Sequence, residues 1–362
     1  MALSTIPTRA LSEQGINFRN LIINGDMSIA QRGTTSSSLS GYTSCDRFTA
    51  TNNNLDQLAG TLSQISDAPS GSGLSKSFKF TVTTPETTLD ADEYLTIQHR
   101  IEGQNLQHLK FNTSSAESLT LSFWVKSTVT GTYPVGLYLI DNNRNIGNTY
   151  TINSANTWEK KTLTFVGDTS GSIGNDNTEG LRLWFILGAG STFSNSNNTT
   201  WDTYSSGRLG YGVSSNLLTT SSATWEVTGV QLEVGTSASD DFEFLPYDVN
   251  LLRCQRYFQK GYNGSDNAVH AGRGQGTTSV DFHFSLVTPL RASPTITQSG
   301  LGWRVIKPSS SISDSSDTPT VTGFYELNPY IVLRNSGHSG ITDNYLFGVS
   351  PRGLTYYFDS EL

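Results

Sequence analysis

Hydrophobic and polar residues alternate with a period of two through most of this chain. In SFKFTV, Phe78, Phe80 and Val82 fall on one face. EYLTIQHRIEG puts Leu95, Ile97, His99 and Ile101 on one face and Tyr94, Gln98 and Arg100 on the other. SLTLSFWVKS sets Leu119, Leu121, Phe123 and Val125 inward, with Trp124 and Lys126 opposite. YPVGLYLID, WEKKTLTFVGD, LRLWFILG and WEVTGVQLEVG continue the series. Such alternation belongs to strands that rest one face on a core. Many of them, separated by turn clusters and not by amphipathic helices, predict a two-sheet sandwich, and a length of roughly 200 residues suits jelly-roll topology.

One stretch breaks the rhythm. LLRCQRYFQKG, residues 251–261, is basic, with Leu251, Leu252, Cys254, Tyr257 and Phe258 spaced as the buried stripe of a short helix. It follows TSASDDFEFLPYD, an acidic, proline-bearing connector, and precedes a second β-rich segment of ordinary domain size. There the strand candidates are TSVDFHFSLV, SPTITQSG, WRVIK, YIVLRN and LTYYFD, and KPSSSISDSSDTP at 307–319 is expected to be an exposed loop. The predicted class is all-β: a jelly-roll β-sandwich at 20–237, a connector with a short helix at 238–260, and a smaller sandwich-like C-terminal β domain at 261–362. Residues 1–19, with scattered Leu3, Ile6, Leu11, Ile16 and Phe18, read as an arm that orders by docking onto something. For the helix two roles stay open, an interdomain hinge or a subunit contact. In either, Leu252, Tyr257 and Phe258 pack while the cations offset Asp240, Asp241, Glu243 and Asp248.

Composition narrows the function. Hydrophobic residues make up 35%, so many strands are half exposed, and only 15% of residues are charged, as in rigid extracellular or virion β-proteins. The net charge of −8 repels phosphate backbones, and no cluster of Lys and Arg compensates, so no nucleic-acid partner is expected. Cys45 and Cys254 lack CxxC spacing and read as small buried hydrophobes. No apolar run approaches membrane-spanning length, and MALSTIPTRALSEQGINFRN has no apolar core, so neither membrane insertion nor a signal peptide is expected.

The ordered series NLIINGDMSIAQRG, YTSCDRF, HRIEGQNLQHL, SLTLSFWVKS, NTWEKKTLTF, TGVQLEVG and LLRCQRYFQK, spanning residues 20–260, resembles a module of tailed-phage structural proteins. That module is found in tail-fibre-like and other virion proteins of phages infecting marine bacteria. FSLVTPLRASPTIT looks like the β domain that often follows it. The resemblance implies a carbohydrate-binding-like jelly roll in a homotrimeric virion component that touches the host surface. The expected function is therefore a tail-fibre-like virion protein binding a host-surface glycan or protein, with other virion proteins as partners through residues 1–19. The alternative is a decoration protein on the capsid surface, and a polysaccharide-active enzyme is a distant third.

Sugars offer C–H patches and hydroxyl pairs, which aromatic faces and planar polar side chains recognise. Tyr94, Gln98, Arg100, Trp124 and Trp184 are the candidates, on sheet faces turned away from the core. A second candidate is the Gly-rich stretch GYNGSDNAVHAGRGQGT, a receptor loop with Tyr262, Asp266, His270 and Arg273. Jelly-roll modules of this kind often hold a structural calcium where first and last strands join. Asp26 and Glu233 occupy comparable places, and no other cofactor is expected. No GxSxG, HExxH or P-loop is present, and the histidines His99, His108, His270, His283 and His338 lack metal-ligand spacing. GDTSG at 167–171 is explained by a turn, and His99, alternating with core residues, is expected to be a satisfied, partly buried side chain. No catalytic residue is nominated.

Overall fold

The computed structural model describes residues 19–263, 270–299, 302–306, 312–324, 328–342, 346–351 and 354–362. The proposed docking arm therefore lies outside the described residues, apart from Arg19. The first unit contains β1 (Thr35–Ser36), β2 (Phe48–Asn53), β3 (Ala59–Ile65), β4 (Ser77–Thr84), β5 (Tyr94–Glu102) and β6 (Leu119–Ser127). It continues through β7 (Gly131–Leu139), β8 (Arg144–Ile152), β9 (Glu159–Phe165), β10 (Glu179–Ala189), β11 (Asp202–Thr203) and β12 (Thr224–Val234). They form two six-stranded antiparallel sheets, ordered β1-β3-β4-β12-β6-β9 and β11-β8-β7-β10-β5-β2. Chain crossing back and forth between two such sheets is the jelly roll that the alternation predicts.

Between the sheets the expected inward residues meet. Phe78, Phe80, Val82, Leu95, Ile97, Leu121, Phe123 and Val125 are all buried in one cluster with Leu183, Phe185 and Trp225. Phe123 sits edge-on to both Tyr150 and Phe185, with centroids 5.0 and 5.1 Å apart. His99 points into this core and is 1% exposed, more completely buried than its sequence neighbourhood implied. NLIINGDMSIAQRG is not a strand. Its asparagines replace strand pairing: Asn20 links Val230 O, Ile22 N and Leu232 N, and Asn24 links Ile29 N, Ile29 O and Asp46 O. A side-chain amide that mimics backbone hydrogen bonding lets this apolar stretch plug the sandwich end in irregular form. GDTSG is a turn, and its Asp168, 1% exposed, takes Arg144 bidentately at 2.7 and 3.1 Å.

The C-terminal unit has its own core, with Val280, Phe282, Phe284, Trp303, Ile331, Leu333 and Val349 at its centre. Its strands are β13 (Phe258–Asn263), β14 (His270–Gln275), β15 (Ser279–Ser285), β16 (Thr295–Ser299) and β17 (Trp303–Ile306). Then follow β18 (Ile312–Ser315), β19 (Thr320–Phe324), β20 (Tyr330–Asn335), β21 (Leu346–Pro351) and β22 (Leu354–Asp359). The sheets are β13-β22-β16 and β18-β17-β21-β14-β15-β20-β19. Two expectations change here. HAGRGQ is strand β14, because Gly272 and Gly274 admit Val280, Val349 and Phe347 where a Cβ would collide. KPSSSISDSSDTP contains β18, whose Ser315 is buried, so that stretch is not wholly an exposed loop.

The basic stretch forms helix α1 (Tyr247–Gln255) and the first residues of β13. Pro246 precedes the helix, Asp248 lies in its first turn and Arg253 in its last, charges placed as the helix dipole favours. Cys254 and Tyr257 are buried against Ile23 and Ile29 of the jelly roll, with Leu251 and Leu362 alongside. Arg256 clasps Glu102 bidentately at 2.8 and 2.9 Å, so its partner is a buried jelly-roll carboxylate and not one of the connector acids. Leu252 is 44% exposed, against the expectation that it packs. Within one chain the helix is an interdomain joint. Cys45 and Cys254 are free and buried, as small hydrophobes are.

Candidate binding groove

The outward face of the second sheet is where aromatic residues gather. Alternation turns Tyr94, Thr96, Gln98 and Arg100 of β5 away from the core, and register places Gln98 opposite Trp184 and Arg100 opposite Arg182 of β10. One strand further, Trp184 faces Gly136 and Arg182 faces Tyr138 of β7. Gly136 is required there, since a Cβ would stand 2.4 Å from Trp184 Nε1. The chain between Gly190 and Val213 then folds back over this face and brings Phe193, Tyr204 and Leu209 onto it.

The result is a cleft of about 170 Å³ lined by Thr51, Tyr94, Thr96, Gln98, Tyr138, Ile140, Arg182, Trp184, Tyr204 and Leu209. Tyr138 stacks on Trp184 at 5.3 Å with 16° between planes, and Tyr204 meets Tyr138 edge-on at 5.3 Å. Tyr94 is braced edge-on by Phe193 at 4.7 Å. The Arg182 guanidinium lies 5.6 Å from the Tyr138 centroid, and two of its nitrogens are held by Glu179 at 2.6 and 2.8 Å. Two buried polar atoms have no protein partner: Gln98 Oε1 and Trp184 Nε1. Unsatisfied buried groups are costly unless a ligand or water completes them.

Protonation is fixed by burial. Desolvation pushes the Tyr204 hydroxyl up to about 12, with Tyr94 and Tyr138 adding to the rise and Arg182 opposing it. Burial also raises Tyr94 and Tyr138, again against Arg182. All three phenols therefore stay neutral donors at physiological pH. Desolvation is the largest influence on Arg182 and pulls its pKa down, but the hydrogen bond and charge of Glu179, joined by Tyr138 and Tyr42, together raise it, so Arg182 stays charged. No carboxylate lines this cleft. The arrangement can stack on an apolar ring face and donate hydrogen bonds around its edge.

The candidate residues divide between places. Tyr94, Gln98 and Trp184 converge here. Arg100 shares the face but donates to Leu362 O and lies 3.7 Å from Glu179, so it serves the joint between the domains. Trp124 is on the other sheet, opposite Thr228 of β12 and Lys160 of β9, in a separate cleft with Leu74 and Phe242. Tyr138, Arg182 and Tyr204 were missed. Tyr138 alternates with Val135, Leu137 and Leu139 in a segment already read as a strand, so its outward position was available from the same period. Tyr204 carries no local signal.

The receptor-loop residues do not form one cluster. Asp266 lies outside the described residues, and Tyr262 is in β13, paired with Thr355. His270 turns inward on β14 against Phe284, 5.0 Å away, while Arg273 faces outward beside Asp281 and His283. The calcium pair does not fit a cation either. Asp26 Oδ1 accepts from Ser28 and Asn250, and Glu233 is held by Ser239, Gln231 and the Arg19 guanidinium at 2.8 Å. An arginine already occupies the charge that calcium would need.

No protein-family model matches the chain, and no curated protein matches it in sequence. Among solved structures, the enzymatically active domain of tailspike protein 4 from Bacteriophage CBA120 is 12% identical over 60% of this chain, with a TM-score of 0.32. That match spans 22% of the tailspike chain. The family 11 carbohydrate-binding module of Clostridium thermocellum Lic26A-Cel5E is 12% identical over 57% of this chain and 97% of its own, with a TM-score of 0.29. TmCBM61 in complex with beta-1,4-galactotriose is 8% identical over 60% and 99%, with a TM-score of 0.29.

Proposed function

We propose that the chain is a non-catalytic glycan-binding protein of tail-fibre type, holding a host-surface sugar in the groove between Tyr94, Tyr138, Trp184 and Tyr204. The observation that carries this is the meeting of stacked aromatic faces with two unpartnered buried atoms, Gln98 Oε1 and Trp184 Nε1, in one cleft. A sugar C–H face packs on the Tyr138–Trp184 stack, and its hydroxyls complete Gln98, Trp184 and Arg182. The cleft is smaller than those that enclose drug-sized ligands, roughly 300–1,000 Å³, so a single site grips one sugar residue weakly. Assembly as a homotrimer on the virion multiplies such a contact by about 10²–10⁴ without new interactions. The virion placement and the trimer rest on the sequence resemblance. Binding without hydrolysis is favoured by the lack of any carboxylate in the cleft lining.

Affinity electrophoresis of the full chain through gels containing host surface polysaccharide tests the groove. Tyr138→Ala should abolish the retardation of wild-type protein while leaving the melting temperature within a few degrees. Retention by Tyr138→Ala combined with loss in Trp124→Ala would move the site to the other sheet. Gold-labelled antibody against residues 261–362 tests the placement: label at the tail supports the fibre reading, and label spread over the head replaces it with decoration.

A further inference from the structure

Away from the groove lining, three carboxylates from two inter-sheet links meet. Asp56 lies between β2 and β3, and Glu86 and Glu93 lie between β4 and β5, each with an oxygen within 4.8 Å of the others. Asp56 is exposed, whereas Glu86 is 1% and Glu93 2% exposed. Glu86 Oε1 accepts from Leu58 N at 2.7 Å and Gln57 N at 3.2 Å, but its Oε2 is buried with no hydrogen-bond partner. Glu93 Oε2 accepts from Asp90 N at 2.7 Å. Among the described residues no salt bridge reaches any of the three.

Two carboxylates withdrawn from water side by side, one with an empty-handed oxygen, are unfavourable without a counter-charge. We propose that Asp56, Glu86 and Glu93 bind a divalent cation of the calcium class that clamps the two links together. Donors that are all oxygen select a hard cation over zinc. Calcium takes its ligands at about 2.3–2.6 Å, so ligands on opposite sides of one ion stand roughly 4.6–5.2 Å apart, which accommodates the observed spread. The exposed Asp56 is the entry side, and backbone carbonyls or waters complete the coordination number. Both links cross from one sheet to the other, so the ion ties the sandwich at this end. Glu93 directly precedes Tyr94, and its carbonyl accepts Gly190 N at 2.8 Å, at the root of the chain that folds over the groove.

Calorimetric titration of chelator-stripped full chain with calcium chloride at pH 7.5, paired with thermal melts, tests this independently of any sugar. The expected result is one calcium ion per chain and a higher melting temperature, with weaker uptake of magnesium. Affinity should fall by about tenfold or more in Glu86→Gln, because it follows the ligand charge count. Should Glu86→Gln fail to fold, Asp56→Asn, at an exposed position, must weaken uptake with the fold intact. Absence of uptake at millimolar calcium, or uptake unchanged in both variants, overturns the proposal.

Discussion

His99 shows what one position inside the sandwich costs. Its Nε2 lies 3.1 Å from Ile23 N, burial lowers its pKa well below 6.5, and the nearby Arg47 and Arg253 charges push the same way. The folded protein therefore keeps His99 neutral, while the unfolded chain takes up a proton there below about pH 6.5. The unfolded state then binds more protons, so this residue's contribution to stability is lost as pH falls below that value, by up to about 1.4 kcal/mol per unit. Urea midpoints measured from pH 7.5 to 5 in wild type and His99→Gln should diverge on the acid side, the variant losing less. Parallel curves would mean that His99 charges readily in the fold. The alternating sequence placed His99 with Leu95 and Ile97; that its partners are backbone atoms of Ile23 follows only from the N-terminal plug.

At the scale of elements, the groove depends on the stretch from Gly190 to Val213, which holds only short pieces of regular structure. Arg208, 7% exposed, binds it together by donating to Asn145 Oδ1 at 2.8 Å, Asn197 O at 2.6 Å and Thr200 O at 2.6 Å. Asn198 returns a bond to Arg208 O at 2.7 Å. Replacing Arg208 by Ala strands the buried Asn145 acceptor, at a cost of about 1–3 kcal/mol, and releases the Asn197 and Thr200 carbonyls to water. Tyr204 and Leu209 should then lose their places, so glycan retardation falls more than the melting temperature does, although Arg208 touches no ligand. In sequence this segment is a polar run with no period, which is why Trp184 could be nominated and Tyr204 could not. Strands β2, β3 and β8 were invisible for a related reason: FTATNN, AGTLSQI and RNIGNTYTI are rich in Thr, Asn and Gly and acquire their strand character from neighbours.

Across the whole molecule, the two units are joined by charge as much as by apolar contact. Arg47 is fully buried, pairs with Glu361, and stacks its guanidinium 3.4 Å from the Tyr257 ring centroid. Arg32 reaches Glu361 and Asp359 while lying 3.6 Å from the Phe258 centroid, and Asn177 and Arg291 exchange bonds at 2.7 and 2.9 Å. Removing one member of a buried pair leaves the other uncompensated and costs about 3–5 kcal/mol. Glu361→Ala should therefore uncouple the units, giving two calorimetric transitions where the wild type gives one; a single unshifted transition would show that the aromatic contacts suffice. The basic stretch at 251–261 was legible as a short helix between domains. That its Arg256 serves Glu102, 154 positions away, was not.

What the sequence determined by itself is whatever repeats along the chain. A period of two assigns most long strands, sorts their core faces from their outer faces, and thereby places Tyr94, Gln98 and Trp184 outside the core. Tertiary structure decided which outward residues meet, because period gives each strand a face but no neighbour. It separated Trp124 from Trp184 by putting β6 and β10 in different sheets, brought Tyr204 across from a segment without a pattern, and gathered Asp56, Glu86 and Glu93 where two inter-sheet links run side by side. Contacts between residues far apart in the chain depend on strand order and crossover, and neither is written in the spacing of any single segment.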